Sequence, residues 1–124
     1  MPTQDKVNFS KYGKSFQEGL AALILQDRAF SDQIQEVLET EYFELKYLQV
    51  FVDRIFAYKE QYSVHPSAKI LLTILRTELD DETDAIKKQT RDYFSRIYNA
   101  EIKDEEFIKN TSLDFCRKQV LKSA

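Results

Sequence analysis

The sequence is 124 residues long and 43% hydrophobic, which is enough for one domain with a core of its own. Its 18 basic and 21 acidic residues give a net charge of −3, a balance that disfavours autonomous binding to duplex DNA, which needs a dense basic surface. No apolar run approaches the ~18 residues of a membrane span, and the N-terminal MPTQDKVNFS lacks a signal-peptide core, so we expect a soluble cytoplasmic protein.

The composition predicts an all-α fold, a compact bundle of about six helices. The chain has only 2 Gly and 2 Pro to form turns, whereas residues that favour helices, such as Leu, Glu, Lys, Gln and Ala, are abundant. Strand patterns and internal repeats are not visible. Residues 1–14 are expected to form a flexible polar arm with one aromatic pair, Phe9 and Tyr12. Residues 15–124 are expected to form the helical domain.

The triplet Gly13-Lys14-Ser15 has the same letters as the end of a nucleotide-binding P-loop. That motif requires a preceding strand and an earlier glycine at position 8, where this sequence has Asn8. Ser15 and Glu18 instead have the S-x-x-E spacing of a capping box, in which each side chain bonds the backbone N–H of the other residue. We therefore predict that Ser15 caps the first helix and that the triplet binds no phosphate.

Two amphipathic helices are predicted at the start of the domain. The first extends from Ser15 to about Asp27, and its apolar residues recur at helical spacing, namely Phe16, Leu20, Leu23 and Ile24. The second is short, with a cap near Ser31, and its apolar face is formed by Phe30, Ile34, Val37 and Leu38.

The strongest periodic pattern is LKYLQVFVDRIFAYKEQY, residues 45–62. Its apolar residues keep a helical period over several turns, which predicts the central core helix. Because Pro66 lacks an N–H and biases His65 towards an extended conformation, this helix should stop at residues 63–66. Ser67 is expected to cap the next helix, which is apolar on most sides and should be well buried.

An acidic run, Asp80-Asp81-Glu82-Thr83-Asp84, precedes the fifth predicted helix. Calcium loops need a glycine at their sharp turn and this run has none, so its side chains are expected to cap that helix and complement its dipole. The fifth helix should expose a cationic face formed by Lys87, Lys88, Arg91 and Arg96. A last helix is predicted with Asp104 as its cap, and no stop signal closes it before Ala124.

No catalytic or metal-binding pattern is visible in the sequence. His65 is the only histidine, which excludes two-histidine zinc spacings and the Glu-x-x-His pairs of di-iron bundles, and the nucleophile elbow G-x-S-x-G is missing. Cys116 cannot form an internal disulfide and is interpreted as a small core residue. We therefore expect no catalytic residue, metal or cofactor in this chain.

Tyrosines cluster around the central helix, at Tyr42, Tyr47, Tyr58 and Tyr62. Tyr47 and Tyr58 lie off its main apolar stripe. An exposed aromatic ring with a polar end is well suited to contacting a partner protein. We therefore take Tyr47 and Tyr58 as candidate interface residues, with half-buried packing inside the domain as the alternative.

Several short features follow one another in a fixed order along the chain. They mark helix ends and turns, and they are Asp27 with Phe30, the pair Tyr42-Phe43, Tyr62 with Pro66-Ser67, and Arg117-Lys118. With these features the chain resembles the N-terminal domain of DnaB-type hexameric replicative DNA helicases, and is most similar to the version carried by T-even-type phages. The resemblance extends from about residue 16 to residue 124 and consists of helix types, turns and a few residues.

The resemblance implies a division of labour. In that family the last helix is the first arm of a helical hairpin, and a second arm, a linker helix and a RecA-like motor with the P-loop follow it. The motor uses ATP and Mg²⁺ to move along single-stranded DNA, whereas the N-terminal domains form a collar on the hexameric ring, pair with one another and dock primase or a loader. This chain would then provide contact surfaces and no catalysis.

We expect the chain to self-associate through its last helix. The residues that would be exposed there without a second hairpin arm are Phe107, Ile108, Phe115 and Val120, and core packing is the alternative for each. Two other functions stay open from the sequence. One is a complete small helical adaptor or regulator, such as a loader, and the other, disfavoured by charge, is a helix-turn-helix DNA-binding protein.

Overall fold

The computed structural model describes residues 7–123, which form six α-helices and no β-strand. The prediction of an all-α bundle is therefore confirmed. The helices are α1 (Gly13–Gln26), α2 (Arg28–Gln35), α3 (Lys46–Tyr62), α4 (Ala68–Thr77), α5 (Asp84–Ile97) and α6 (Glu105–Ser123). Two short 3-10 turns, Ser10–Tyr12 and Thr40–Tyr42, precede α1 and α3.

Helices α1 and α3 form the centre of the bundle. α1 packs against α2, α3 and α6, while α3 packs against α4 and α5 as well. Every side chain from Leu20 to Leu25 is buried, because this half of α1 is apolar all round and is enclosed on several sides. α3 buries one broad face, formed by Tyr47, Leu48, Val50, Phe51, Val52, Ile55 and Phe56. The core helix predicted from periodicity thus shares its central position with α1.

The first helix begins differently from the prediction. α1 starts at Gly13, whose φ of 87° lies in the left-handed region that glycine adopts readily. Ser15 lies exposed inside the first turn and does not cap the helix. The Glu18 carboxylate binds Arg96 and Tyr47 instead of the Ser15 N–H. The predicted capping box is therefore wrong, because partners distant in sequence hold Glu18.

Part of the N-terminal arm, predicted to be flexible, packs on the bundle. Residues 1–6 lie outside the described residues, but Phe9 is fully buried, and its N–H donates to the Tyr42 carbonyl at 2.7 Å. The Phe9 ring lies close to the rings of Tyr12, Phe16, Tyr42, Phe43 and Phe115. The packed domain therefore includes residues 7–14, because one buried aromatic ring anchors an otherwise polar segment.

Asp27, and not Ser31, caps the second helix. The Asp27 carboxylate accepts a hydrogen bond from the Phe30 N–H at 3.0 Å and also binds Lys109 of α6 at 2.5 Å. Ser31 is buried within α2, where its hydroxyl accepts from the Lys59 ammonium at 2.9 Å. Asp27 directly follows the last residue of α1. Its carboxylate therefore stabilises the α1–α2 joint and connects that joint to α6.

The turn between α3 and α4 forms as predicted, but α4 is less buried than predicted. Ser63 ends α3 in the left-handed conformation, and the Ser67 hydroxyl caps α4 by accepting from the Ile70 N–H at 3.2 Å. Only three residues of α4 are buried, namely Leu71, Ile74 and Leu75, and Ile70 is 40% exposed. α4 packs on α3 and α5, which cover its inner side and leave apolar groups on its outer side.

The last two helices begin close to the predicted positions. Thr83, from the acidic run, caps α5 by accepting from the Ile86 N–H at 3.2 Å, and Asp84 lies in the first turn, where it complements the helix dipole. α6 begins after Asp104, which adopts a φ of 57°. Asp84 therefore complements the helix dipole as predicted, whereas the cap is the neutral Thr83 and not an acidic residue, and Asp81 pairs with Arg54 instead.

Replacing Phe9 with alanine should lower the free energy of unfolding by about 3–5 kcal/mol, because it leaves a cavity among aromatic neighbours. Val7→Ala, in the same segment but at a residue that is 48% exposed, should change stability by less than about 0.5 kcal/mol. Urea unfolding followed by circular dichroism measures both values. Equal stability of the two variants would show that this segment does not pack on the bundle.

A second pair of variants separates the two serines that were predicted as caps. Ser67→Ala should cost about 1 kcal/mol because it removes the bond to the Ile70 N–H. Ser15→Ala should change the free energy of unfolding by less than about 0.5 kcal/mol, because no capping bond is lost. The same urea titrations measure both effects, and a larger loss at Ser15 would re-establish the capping box.

Candidate interaction surfaces

A polar cluster joins α1, α3 and α5. Glu18 of α1 accepts two hydrogen bonds of 3.1 Å from the Arg96 guanidinium and a third from the Tyr47 hydroxyl. Tyr93, whose side chain is fully buried, donates its hydroxyl to the backbone carbonyl of Glu18. The Glu18 side chain is largely buried while Arg96 is half exposed, so the paired charges lie at the edge of the core. Because its members bond one another, the cluster fixes these three helices in position.

The cluster sets the protonation states of its members. Burial acts to raise the pKa of Glu18, but the hydrogen bonds from Arg96 and Tyr47 outweigh it, and the pKa falls below the ordinary value of 4.5. Burial, followed by the bond to Glu18, raises the pKa of Tyr47 to about 12, and burial raises that of Tyr93 well above 10. At neutral pH both tyrosines are therefore donors and Glu18 is charged. Tyr47, taken from the sequence as an interface candidate, is a buried donor within the bundle.

The four candidate interface residues on α6 do not lie on one surface. Ile108 and Phe115 are buried in the core, whereas Phe107 and Val120 are 60% and 48% exposed. Since successive residues are about 100° apart around a helix, Phe107 and Val120 project about 140° apart. Two of the four residues therefore pack inside the domain, and the other two project in different directions.

The outer side of α6 alternates apolar and charged groups. Leu121, which is 75% exposed, projects only about 40° from Phe107 but lies about 21 Å away along the helix. Between them, Lys118 pairs with Asp114 at 3.0 Å. α6 therefore offers separate apolar points with an ion pair between them, and not a continuous apolar stripe.

Tyr58 lies in an open groove between α3 and α4 that has a volume of about 530 Å³. Its ring centroid is 4.7 Å from that of Tyr62, which is 55% exposed, and α4 contributes Ile70 and Ile74 to the opposite wall. The sequence indicated Tyr58 as an interface candidate, whereas the helix that contains Ile70 was predicted to be well buried. The α4 wall was not predicted because a helix that is apolar on most sides does not indicate which side stays uncovered.

His65, in the loop between α3 and α4, is fastened to α1. Its Nε2–H donates to the Leu25 carbonyl at 2.6 Å, one of the four terminal carbonyls that α1 itself leaves unbonded. Its Nδ1 is buried and has no hydrogen-bond partner among residues 7–123. Close by, Lys59 binds Asp32 at 2.6 Å. These contacts hold the α3–α4 turn against the α1–α2 joint, which is a structural role.

The remaining candidate for chemistry, Cys116, is part of the core. It is fully buried, and burial raises the pKa of its thiol to about 12, which keeps the thiol in its unreactive protonated form. Within residues 7–123, no three side chains of His, Cys, Asp or Glu are grouped as a metal site. None of the helices in that part of the chain combines the length and apolarity needed to cross a bilayer.

Comparisons with protein-family models, with curated proteins and with solved structures found no match to the chain. Two surface features of residues 7–123 have the chemistry of contact sites, namely the exposed apolar points of α6 and the groove between α3 and α4.

Replacing Glu18 with glutamine should lower the free energy of unfolding by about 1–3 kcal/mol at neutral pH, because it weakens charge-assisted bonds to Arg96 and Tyr47. The folded-state pKa of Glu18 lies below 4.5. Its contribution to stability is therefore fully present above the unfolded-state pKa and is lost as the pH falls through the folded-state pKa. The difference between the unmodified chain and the variant should accordingly shrink on acidification.

Urea unfolding at neutral pH and at about pH 3, below the ordinary pKa of a glutamate, measures this change. Glu101→Gln is the matched control, because Glu101 is exposed, and it should change stability little at either pH. A difference for Glu18→Gln that stays constant on acidification would contradict the role assigned to the Glu18 charge.

Proposed function

We propose that this chain is the N-terminal collar domain of a DnaB-type replicative DNA helicase similar to those of T-even-type phages. It acts by contact and not by catalysis. In the cytoplasm of a bacterial cell it joins neighbouring subunits of the hexameric ring and offers a docking surface for a primase or a helicase loader. The ATP-driven motor lies in another part of the protein, and single-stranded DNA is engaged only by the complete ring.

The observation that carries the proposal is that residues on which the resemblance rests hold the joints between helices. Asp27 caps α2 and binds Lys109 of α6, while Phe30 is buried beneath the same joint. Lys109 also binds Glu105 at 2.7 Å. The bond to Asp27, and after it the bond to Glu105, raises the pKa of Lys109 to about 12. Residues at joints determine how helices are arranged, so a shared pattern at such positions is what a common fold would produce.

Two further features of the resemblance also lie at joints. Tyr42-Phe43 forms the turn before α3, with Phe43 fully buried and the Tyr42 carbonyl accepting from the Phe9 N–H. Pro66-Ser67 forms the start of α4, with Pro66 buried and Ser67 as the cap. The last two features, Tyr62 and Arg117-Lys118, are exposed. The exposed positions are free of a core role and suit contact with another protein.

The chemistry of the described residues also suits a contact role. Assembly and docking need rigid helices that carry exposed apolar groups, and they need no activated nucleophile. The Phe107 ring meets the Phe16 ring edge-on at 6.3 Å and still leaves most of its surface open, so the core supports an exposed aromatic residue. Such a supported ring loses little conformational entropy when a partner covers it.

The chain should self-associate through α6. Replacing Phe107, Val120 and Leu121 together by serine should weaken self-association by about tenfold or more, because it removes the exposed large apolar groups of that helix. Sedimentation velocity over a concentration series measures the change. Tyr98→Ser, at a residue that is half exposed on α5, is the control and should have no effect. Monomeric behaviour of the unmodified chain at high concentration would contradict the prediction.

The coding sequence beyond Ala124 tests the helicase proposal directly. A reading frame that continues into a GxxxxGK[ST] motif within about 100 residues would support it. The full-length product should then hydrolyse ATP, whereas the 124-residue chain should not. A stop codon directly after Ala124 would overturn the proposal and would favour a small helical adaptor or regulator.

A further inference from the structure

The groove between α3 and α4 is formed by one side of each helix. On α3 its lining residues recur at i, i+3, i+4, i+7 and i+8, and they are Arg54, Ala57, Tyr58, Gln61 and Tyr62. On α4 they are Ile70, Thr73 and Ile74, at i, i+3 and i+4, and Glu78 follows directly after the last residue of α4. These spacings place each set on one side of its helix. Two helical ridges therefore border a single channel.

The end of the channel near the α3–α4 turn is apolar. The tilted rings of Tyr58 and Tyr62 contact each other on one wall, and Ile70 and Ile74 lie on the other. Tyr62 and Ile70 are among the most exposed large apolar residues of the described chain. Covering them would remove apolar surface from water, which favours association.

The opposite end of the channel is acidic. Glu78 and Asp81 line it, together with Arg54. The Arg54 guanidinium is shared between Asp81 at 3.4 Å and Asp53 at 3.2 Å, and Glu78 has no ion-pair partner within residues 7–123. The charged lining residues of this end, one cation and two carboxylates, leave it with a net negative charge, which attracts a cationic partner.

We propose that this groove binds a short amphipathic helix of a partner protein. Aliphatic side chains of that helix lie between Tyr58 and Ile70, and its lysine or arginine side chains reach Glu78 at the acidic end. The inference rests on the proposed docking function, because it names the surface and the chemistry of the docked segment.

The two helical walls of the groove favour a helix over an added strand. A segment that binds by strand addition needs the unpaired backbone groups of a sheet edge, whereas the backbone groups along the sides of α3 and α4 are bonded within each helix. The lining residues of α3 run over residues 54–62, about 12 Å at 1.5 Å per residue, which is the length of about two helical turns. A third helix can lie between two such ridges as it does in a bundle.

The end of α6 in a second copy is the competing occupant. Arg117, Lys118 and Leu121 are exposed there and combine an apolar group with cations. Leu121 is the one large apolar residue on that side near the end of α6, since Val120 projects about 100° away. The end of α6 therefore offers one apolar side chain to a channel that has apolar groups on both walls. A partner helix with several apolar side chains fits better.

The probe for the test is a fluorescein-labelled, alanine-based helical peptide with leucines at i, i+3 and i+4 and lysines in the turns that follow. Anisotropy titrations at low salt should show saturable binding, and amide shifts in the ¹⁵N spectrum should map to residues 54–62 and 70–81. Ile70→Asp should weaken binding by about tenfold. The residue is exposed, so the variant should keep its fold, which circular dichroism checks.

A charge exchange tests the orientation of the helix in the groove. Glu78→Lys should weaken binding of the lysine peptide. The same variant should bind a matched peptide, in which glutamates replace those lysines, more tightly than the unmodified chain does. Phe107→Asp is the control on the surface of α6 and should leave binding of the lysine peptide unchanged. Restored binding in the exchanged pair would place the cations of the probe beside position 78.

Three outcomes would overturn the inference. The first is no saturable binding up to about 1 mM peptide, and the second is weakening by Phe107→Asp but not by Ile70→Asp. The third is that the same amide shifts appear without peptide when the concentration of the chain is raised. That result would identify a second copy as the occupant. Failure here leaves the helicase proposal standing, because that proposal is decided by the coding sequence beyond Ala124.

Discussion

The burial of α1 is the constraint on which the rest of the structure depends. Its second half is apolar on every side from Leu20 to Leu25, and one neighbouring helix can shield only part of that surface from water. α2, α3 and α6 therefore all pack against α1. The polar groups of α1 then connect it to α5, since Glu18 pairs with Arg96 and Gln26 donates to the Ile97 carbonyl at 2.9 Å. A partly buried carboxylate needs such a partner, because an unpaired charge there would destabilise the fold.

Features set by nearby residues could be predicted from the sequence, and features set by distant residues could not. The Ser67 cap and the end of α3 before Pro66 depend on residues within one or two turns, and both formed as expected. The capping box at Ser15 failed although its spacing was correct. Glu18 has a stronger partner in Arg96, 78 residues further along the chain, and a charge-assisted pair of bonds outweighs a local bond to a backbone N–H.

Exposure was the least predictable property of the candidate surfaces. A helical period indicates which residues share a side of a helix, but it does not indicate whether another helix covers that side. The sequence pattern places Tyr47 and Tyr58 off the main apolar stripe, yet Tyr47 is buried and bonds Glu18 inside the bundle, whereas Tyr58 lines an open groove. On α6, Phe107 and Ile108 are adjacent in sequence and differ completely in burial. Such outcomes depend on the packing of whole helices.

The interior and the groove are linked through α3. The first half of α3 is fixed from within by the bond between Tyr47 and Glu18, and its middle is tied to the loop after α4 by Arg54 and Asp81. The second half of α3 can therefore present Tyr58 without movement of the helix beneath it. A surface that is already in its bound arrangement avoids most of the ordering cost of association. The bond between Tyr47 and Glu18 thus supports contact with a partner from inside the bundle, whereas Arg54 and Asp81 hold α3 from the groove itself.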